Sequence, residues 1–445
     1  MFHIWHSVLL AVIHTAHADF GAPVFTVDLS APPLTRWTNA TDGLFALHDR
    51  SWERTWGPIL DYVTTVCPPI IFDLLEPLLS DLDALFPNSY GDEIRGIHAS
   101  IARYATTAID PKQRAVTLGE IVAMNLIYDI TAGCTSIVAS LANGSIVHGR
   151  NLDYPLPGLA NITADVHFIR GGAGGAPLFQ GTTYLGYAGL LTGMRRTSTA
   201  SAASGLSISI NERDHDGIVQ KLLALLENAG SALLGGQSVG FFIRDVLDGT
   251  QGGQKSGSWE EAIETLASTR LIAPMYFTVG GERGDEGAVI TRDRDHEDRS
   301  NGTASGIWRI NTSDTAGANW FRALSIYNVF IIVSFSYFDF AFPQHASSLL
   351  TPHSSLPLLK FFRDANAGLE TNDDHWKPPE DKRRNAGNAH MENVGRAAMT
   401  LDAMFKDVLS QPPNLATSTT YTSIFSASLG VYRTIVREHP ASPEE

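Results

Sequence analysis

Cys134 stands at the head of a segment whose residue types and spacing suit nucleophilic chemistry. Cys134 to Leu141 and Ser145 to Leu152 alternate like strands, and Asn143-Gly144 between them is a strong two-residue hairpin signal. A turn of that length pairs Ala142 with Ser145 and sets Cys134 opposite Asp153. A carboxylate beside a thiol opposes its ionisation, so the pairing makes sense if the carboxylate orients a cation instead. Cleavage of the Gly133-Cys134 bond would create that cation, an α-ammonium which, once neutral, serves as base for its own thiol. The same register sets Arg150 opposite Ile137, on the far face from Cys134, unless a bulge near Gly149 turns it. The plain alternatives are a cysteine acting as a small buried hydrophobe, a surface carboxylate at a strand end for Asp153, and a solvated charge for Arg150.

The elements around this hairpin follow from periodicity and punctuation. Val24 to Leu29 alternates as a strand that Pro32-Pro33 stops. Helical patterns run from about Leu60 to Ile109, and Thr117-Leu118-Gly119-Glu120 has capping-box spacing ahead of an apolar segment ending at Ile130. Further strands are expected at Thr183 to Leu191, Leu206 to Ile210, Tyr276 to Val279 and Ala288 to Thr291. Helices are expected at Ile218 to Glu227 and at Ser258 to Ala267, the latter with Ser258 and Glu261 as a capping box. A mainly helical first third followed by an antiparallel sheet flanked by helices is an α+β arrangement.

Two stretches read as insertions: the polar Asp293 to Ser305, and Ala323 to Gly368. The apolar part of the second, Ala323 to Phe342, is interrupted by Asn328 and Asp339 and reads as buried rather than membrane-spanning.

Composition narrows the function. The chain has 445 residues, a formal net charge of -15 and no long run of Lys or Arg, which argues against nucleic acid as a partner. Two cysteines, Cys67 and Cys134, exclude a scaffold of several disulfides. Met1 to Ala18 carries an apolar stretch from Val8 to Ile13 and ends in Ala16-His17-Ala18, the pattern of a signal peptide. Asn-x-Ser/Thr sequons at Asn39, Asn143, Asn161, Asn301 and Asn311 agree with a secretory route. The histidines show no metal spacing, and no Walker A, zincin or Cys-x-x-Cys pattern occurs, so no cofactor is expected.

The segment Cys134-Thr135-Ser136-Ile137-Val138-Ala139 with His148-Gly149-Arg150-Asn151-Leu152-Asp153 resembles the acid ceramidase and N-acylethanolamine acid amidase family. The resemblance continues through Val27-Asp28-Leu29, Arg36-Trp37, Gly186 to Gly193, Asn211-Glu212-Arg213, Leu271 to Pro274, Val289 to Arg294 and Thr371-Asn372, in order over most of the chain.

It implies an αββα N-terminal-nucleophile hydrolase sandwich, made as a precursor that cuts itself between Gly133 and Cys134. An N-terminal segment 19–133 would then remain associated with a catalytic segment 134–445. It also implies Cys134 as nucleophile and base, Arg150 bonding around nucleophile and substrate, Asp153 orienting the amine and Asn372 stabilising the oxyanion, with Glu212 and Arg383 as further site members. The expected substrate is a lipid amide, ceramide first and N-acylethanolamine second, met with transient contact at a membrane surface, in a lysosome, vacuole or extracellular space.

The chain departs from the family pattern in three ways. Trp320-Phe321-Arg322 and Leu369-Glu370-Thr371-Asn372 read as one family strand only when Ala323 to Gly368 is removed. Asp373 stands where the family usually has Tyr, and the family cysteines that tie the two segments are absent. A secreted lipid-binding glycoprotein, with catalysis impaired by a misplaced Asn372, is the alternative of a different class.

Overall fold

A computed structural model describes residues 19–66, 86, 89–105, 115–126, 133–154, 156, 158–172, 174–197, 203–213, 236–249, 257–298, 305–312, 319–326 and 382–437. Strands in chain order are β1 (Phe20–Gly21), β2 (Val24–Asp28), β3 (Gly133–Ser140), β4 (Ile146–Asp153), β5 (Thr163–Ile169), β6 (Phe179–Tyr184), β7 (Thr192–Arg195), β8 (Leu206–Glu212), β9 (Met275–Gly280), β10 (Gly287–Arg292), β11 (Ile307–Arg309), β12 (Phe321–Ile326), β13 (Thr419–Ser426) and β14 (Val431–Val436). Helices are α1 (Thr38–Leu47), α2 (Gly57–Val66), α3 (Tyr90–Ala105), α4 (Leu118–Leu126), α5 (Val239–Asp248), α6 (Trp259–Ser268) and α7 (Lys382–Val394), followed by a π-helical turn at Met404–Leu409.

The strands form two sheets, ordered β1-β14-β13-β4-β3-β12 and β11-β10-β9-β8-β7-β6-β5-β2. All pairings are antiparallel except β2 with β5. The sheets face one another through β3 and β4 on one side and β7 to β10 on the other, and α5 and α6 cover the far face of the eight-stranded sheet. Met391 of α7 and Met404, Val408 and Leu409 of the π-turn cover the far face of the six-stranded sheet. This layering is the αββα sandwich that the resemblance implied.

Both faces of β3 and β4 are therefore buried. Every position of β4 is buried, so its polar residues His148, Arg150, Asn151 and Asp153 find their partners inside the protein, while β3 carries only apolar and small residues. Gly149 allows the π-turn to approach β4 closely. A methyl group there would meet the Met404 sulfur at 2.6 Å and Leu409 Cδ1 at 2.7 Å.

Both expected capping boxes form: Thr117 with Glu120 at α4, and Ser258 with Glu261 at α6. The single strand expected from Thr183 to Leu191 is instead the end of β6 and an irregular connection that stops just short of β7, with Gly186 at φ 125° in its turn. The helix expected at Ile218 to Glu227 lies outside the described residues.

The two presumed insertions are anchored where they begin. Asp293 and the buried Asp298 hold the Arg213 guanidinium at 2.6 and 2.5 Å. Ala323 to Ile326 continue β12 alongside β3, with Ala323 opposite Ile137 and Ile326 opposite Cys134. The strand thus runs past Arg322, and the first four residues assigned to the insertion belong to the sheet.

Candidate active site

The register of β3 with β4 differs by one residue from the expected one. Gly144 alone adopts a positive φ, 83°, and Leu141 N donates to Ser145 O at 2.8 Å, closing a three-residue loop with glycine in its left-handed position. Cys134 therefore pairs with Leu152, Ser136 with Arg150, and Gly133 with Asp153. A one-residue change reverses every face assignment. Arg150 lies on the same face as Cys134, toward the second sheet, with no bulge needed at Gly149, and Asp153 is level with the Gly133-Cys134 peptide rather than with the thiol.

On that inner face Cys134 and Arg150 are both fully buried. Arg150 Nη2 donates to Cys134 Sγ at 2.9 Å, and Nη1 donates to Thr192 Oγ1 at 2.7 Å and to the Leu191 carbonyl. Thr192 Oγ1 lies 2.9 Å from the Tyr421 hydroxyl. The guanidinium is thus held from the β7 side and aimed at the sulfur, a placement in which a charge-assisted hydrogen bond favours negative charge on sulfur. Burial pushes the Tyr421 phenol up to about 12 and Tyr184 well above its ordinary value, so both stay neutral beside the cysteine.

Asp153 accepts from Arg383 Nη1 at 2.5 Å and from Thr419 Oγ1 at 2.6 Å. Burial raises its carboxyl above the usual range, against the opposing pull of Arg383. Of the residues singled out in the sequence, Cys134 and Arg150 meet directly and Asp153 and Arg383 meet directly. Glu212 ends β8 as a buried residue opposite Met275. Asn372 lies outside the described residues.

Asn211, next to Glu212, reaches the strand that carries Cys134: its Nδ2 donates to the Cys134 carbonyl at 3.2 Å. Sequence reasoning included Asn211 and Thr192 in the resemblance without giving either a role, and it did not single out Tyr184 or Tyr421. These contacts join residues far apart in the chain, and no local spacing announces them.

No protein-family model matches the chain. It is similar to the N-acylethanolamine-hydrolyzing acid amidase of Mus musculus, 31% identical over 435 residues that cover 94% of each chain. It is also similar to the acid ceramidase of Homo sapiens, 26% identical over 451 residues covering 94% of this chain and 87% of that one. Among solved structures, the Caenorhabditis elegans N-acylethanolamine-hydrolyzing acid amidase ortholog matches 66% of this chain and 93% of its own, at 25% identity and a TM-score of 0.45.

Proposed function

Since this chain belongs to the N-acylethanolamine-hydrolyzing acid amidase and acid ceramidase family, we propose that it is a self-processing lipid amidase with Cys134 as its nucleophile. The observation that carries the reading is the buried Arg150 guanidinium at 2.9 Å from the Cys134 sulfur, on a strand that begins at Gly133.

In maturation the Cys134 sulfur attacks the Gly133 carbonyl, the peptide C–N bond breaks with an N-to-S acyl shift, and water hydrolyses the resulting thioester. The products are a segment ending in a Gly133 carboxylate and one beginning with the Cys134 α-amine. In turnover that amine takes the thiol proton, the sulfur attacks the amide carbonyl, and Arg150 stabilises the developing charge. The α-ammonium then protonates the departing amine, and water, with its proton passing to the α-amine, cleaves the acyl thioester. Asp153, held by Arg383 and Thr419, orients the amine. Asn372 is assigned to the oxyanion and Glu212 to the site margin.

Segments 19–133 and 134–445 stay together after the cut in this reading. Support comes from a buried cluster spanning both, in which Arg244 donates to Glu93 at 2.7 and 3.0 Å, and Arg36 and Trp37 donate to the same carboxylate at 2.6 and 2.5 Å. Removing one member of such a cluster costs about 3–5 kcal/mol. The leader at 1–18 and the sequons assign the chain to the secretory route, with a lysosomal, vacuolar or extracellular destination and transient contact with lipid surfaces. Among the described residues no helix is long and apolar enough to cross a membrane.

Ceramide is the first substrate in this reading and N-acylethanolamine the second; relatives of both kinds match the chain, N-acylethanolamine amidases at 30 to 31% identity and acid ceramidases at 26 to 30%. Turnover of labelled ceramide and labelled N-acylethanolamine by the processed enzyme at acidic pH tests both. Hydrolysis of neither would overturn the amidase reading, and equal hydrolysis by Cys134→Ser would remove Cys134 as its nucleophile.

A further inference from the structure

Behind Cys134 a line of buried polar side chains crosses from one sheet to the other. Asn211 Nδ2 donates to the Cys134 carbonyl at 3.2 Å, and Ser136 Oγ donates to Asn211 Oδ1 at 2.6 Å. Ser209 Oγ lies 3.0 Å from Ser136 Oγ, His148 Nε2 lies 2.8 Å from Ser209 Oγ, and His148 Nδ1 lies 3.2 Å from Ser207 Oγ. Ser136, His148, Ser209 and Asn211 are all fully buried. The His148 ring is seated against Phe425 with centroids 4.3 Å apart.

Counting hydrogens gives the line a direction. The Cys134 carbonyl can only accept, so Asn211 must present its NH₂ there and its oxygen to Ser136. Ser136 has one hydrogen and spends it on that oxygen, so Ser209 must donate to Ser136. Ser209 has then spent its own hydrogen and must accept from His148, which requires the Nε2–H tautomer.

Burial, with Arg150 adding to it, holds the imidazole down to about 3, so the ring is neutral and Nδ1 is left to accept from Ser207. The Ser207 oxygen also lies 3.0 Å from the Gly280 carbonyl and shares one hydrogen between the two acceptors.

We propose that His148, Ser209, Ser136 and Asn211 form a one-way hydrogen-bond chain that fixes the Asn211 amide and thereby positions the Cys134 backbone, making all four positioning residues for the nucleophile. The proposal rests on the reading of Cys134 as nucleophile. Cutting before Cys134 removes the covalent tether on its amino side. Its position then depends more on its carbonyl side, which the ladder and Asn211 hold. A rotated Asn211 amide would face oxygen with oxygen and push the Cys134 carbonyl away, and small displacements of a reacting group are costly in rate.

Substitutions at two positions test the direction of the chain in the processed full-length enzyme. Asn211→Asp keeps the shape: as a neutral acid it donates O–H to the Cys134 carbonyl and accepts from Ser136, but as a carboxylate it cannot donate. Its kcat should lie within about threefold of wild type at the acid end of the profile and fall about tenfold or more below wild type once the carboxyl ionises. KM should change little.

Ser209→Ala should lower kcat roughly tenfold at unchanged KM, the scale of one buried hydrogen bond, and Ser209→Thr should restore it. An Asn211→Asp profile that superimposes on wild type, or a Ser209→Ala kcat equal to wild type, overturns the proposal. Cys134→Ser assayed in parallel separates the two levels. Loss of its activity with unaffected Asn211 and Ser209 variants defeats this inference alone, whereas full activity of Cys134→Ser defeats the reading beneath it.

Discussion

The Arg150 guanidinium reaches the Cys134 sulfur at 2.9 Å while its other arm is fixed by Thr192 Oγ1 and the Leu191 carbonyl. The position therefore requires a planar fork rather than a positive charge alone. Arg150→Lys should lower kcat on the order of a hundredfold, because one ammonium cannot serve β7 and the sulfur together. Steady-state kinetics on the processed enzyme check this, and a variant within threefold of wild type would remove Arg150 from the reaction.

The route to this pair explains what the sequence could reveal. Alternation and Asn143-Gly144 located the hairpin and both strands, but they suggest a two-residue turn where a three-residue loop forms. That one-residue difference exchanged the faces of Arg150 and Asp153. Capping boxes at Thr117 and Ser258 were legible because they are local. The Thr192 and Asn211 contacts depend on how two sheets stack, which no periodicity encodes, and resemblance marked those segments without saying what they touch.

Acid pH should stabilise the protein through Asp165. Its carboxyl is buried between β5 and β6, bonded by Thr182 Oγ1 at 2.7 Å, and burial pushes it up to about 6 from 3.8. A folded value above the unfolded one means that the neutral form is favoured by folding. The gain is complete below about pH 4, and is lost as pH rises from about 4 through 6. Its size is on the order of 3 kcal/mol. Thermal unfolding from about pH 4 to 7 should show a rising midpoint toward acid. Asp165→Asn should flatten that trend, and an unchanged slope in this variant would exclude Asp165 as its source.

Register arithmetic gives the segment 323–368 a definite consequence. Ala323 to Ile326 occupy the positions beside β3 from Ile137 to Cys134. If 323–368 is deleted, Leu369 follows Arg322 and Asn372 takes the register position of Ile326, opposite Cys134. The deletion should preserve or raise processing and amidase activity. An aggregated deletion protein beside an active full-length one would make the segment part of the core and defeat the Asn372 assignment.

The most direct test of the whole account is the chain's own cleavage. Purified full-length protein and its Cys134→Ser variant should be incubated at roughly pH 4 to 5, where carboxylates titrate, and followed by intact mass and amino-terminal sequencing. The account predicts that wild type yields one fragment ending at Gly133 and one beginning at Cys134, with lipid-amide turnover rising in step, while Cys134→Ser stays whole and inactive. A wild-type chain that remains intact yet hydrolyses the amide, or a Cys134→Ser chain that cuts and turns over as wild type does, would contradict it.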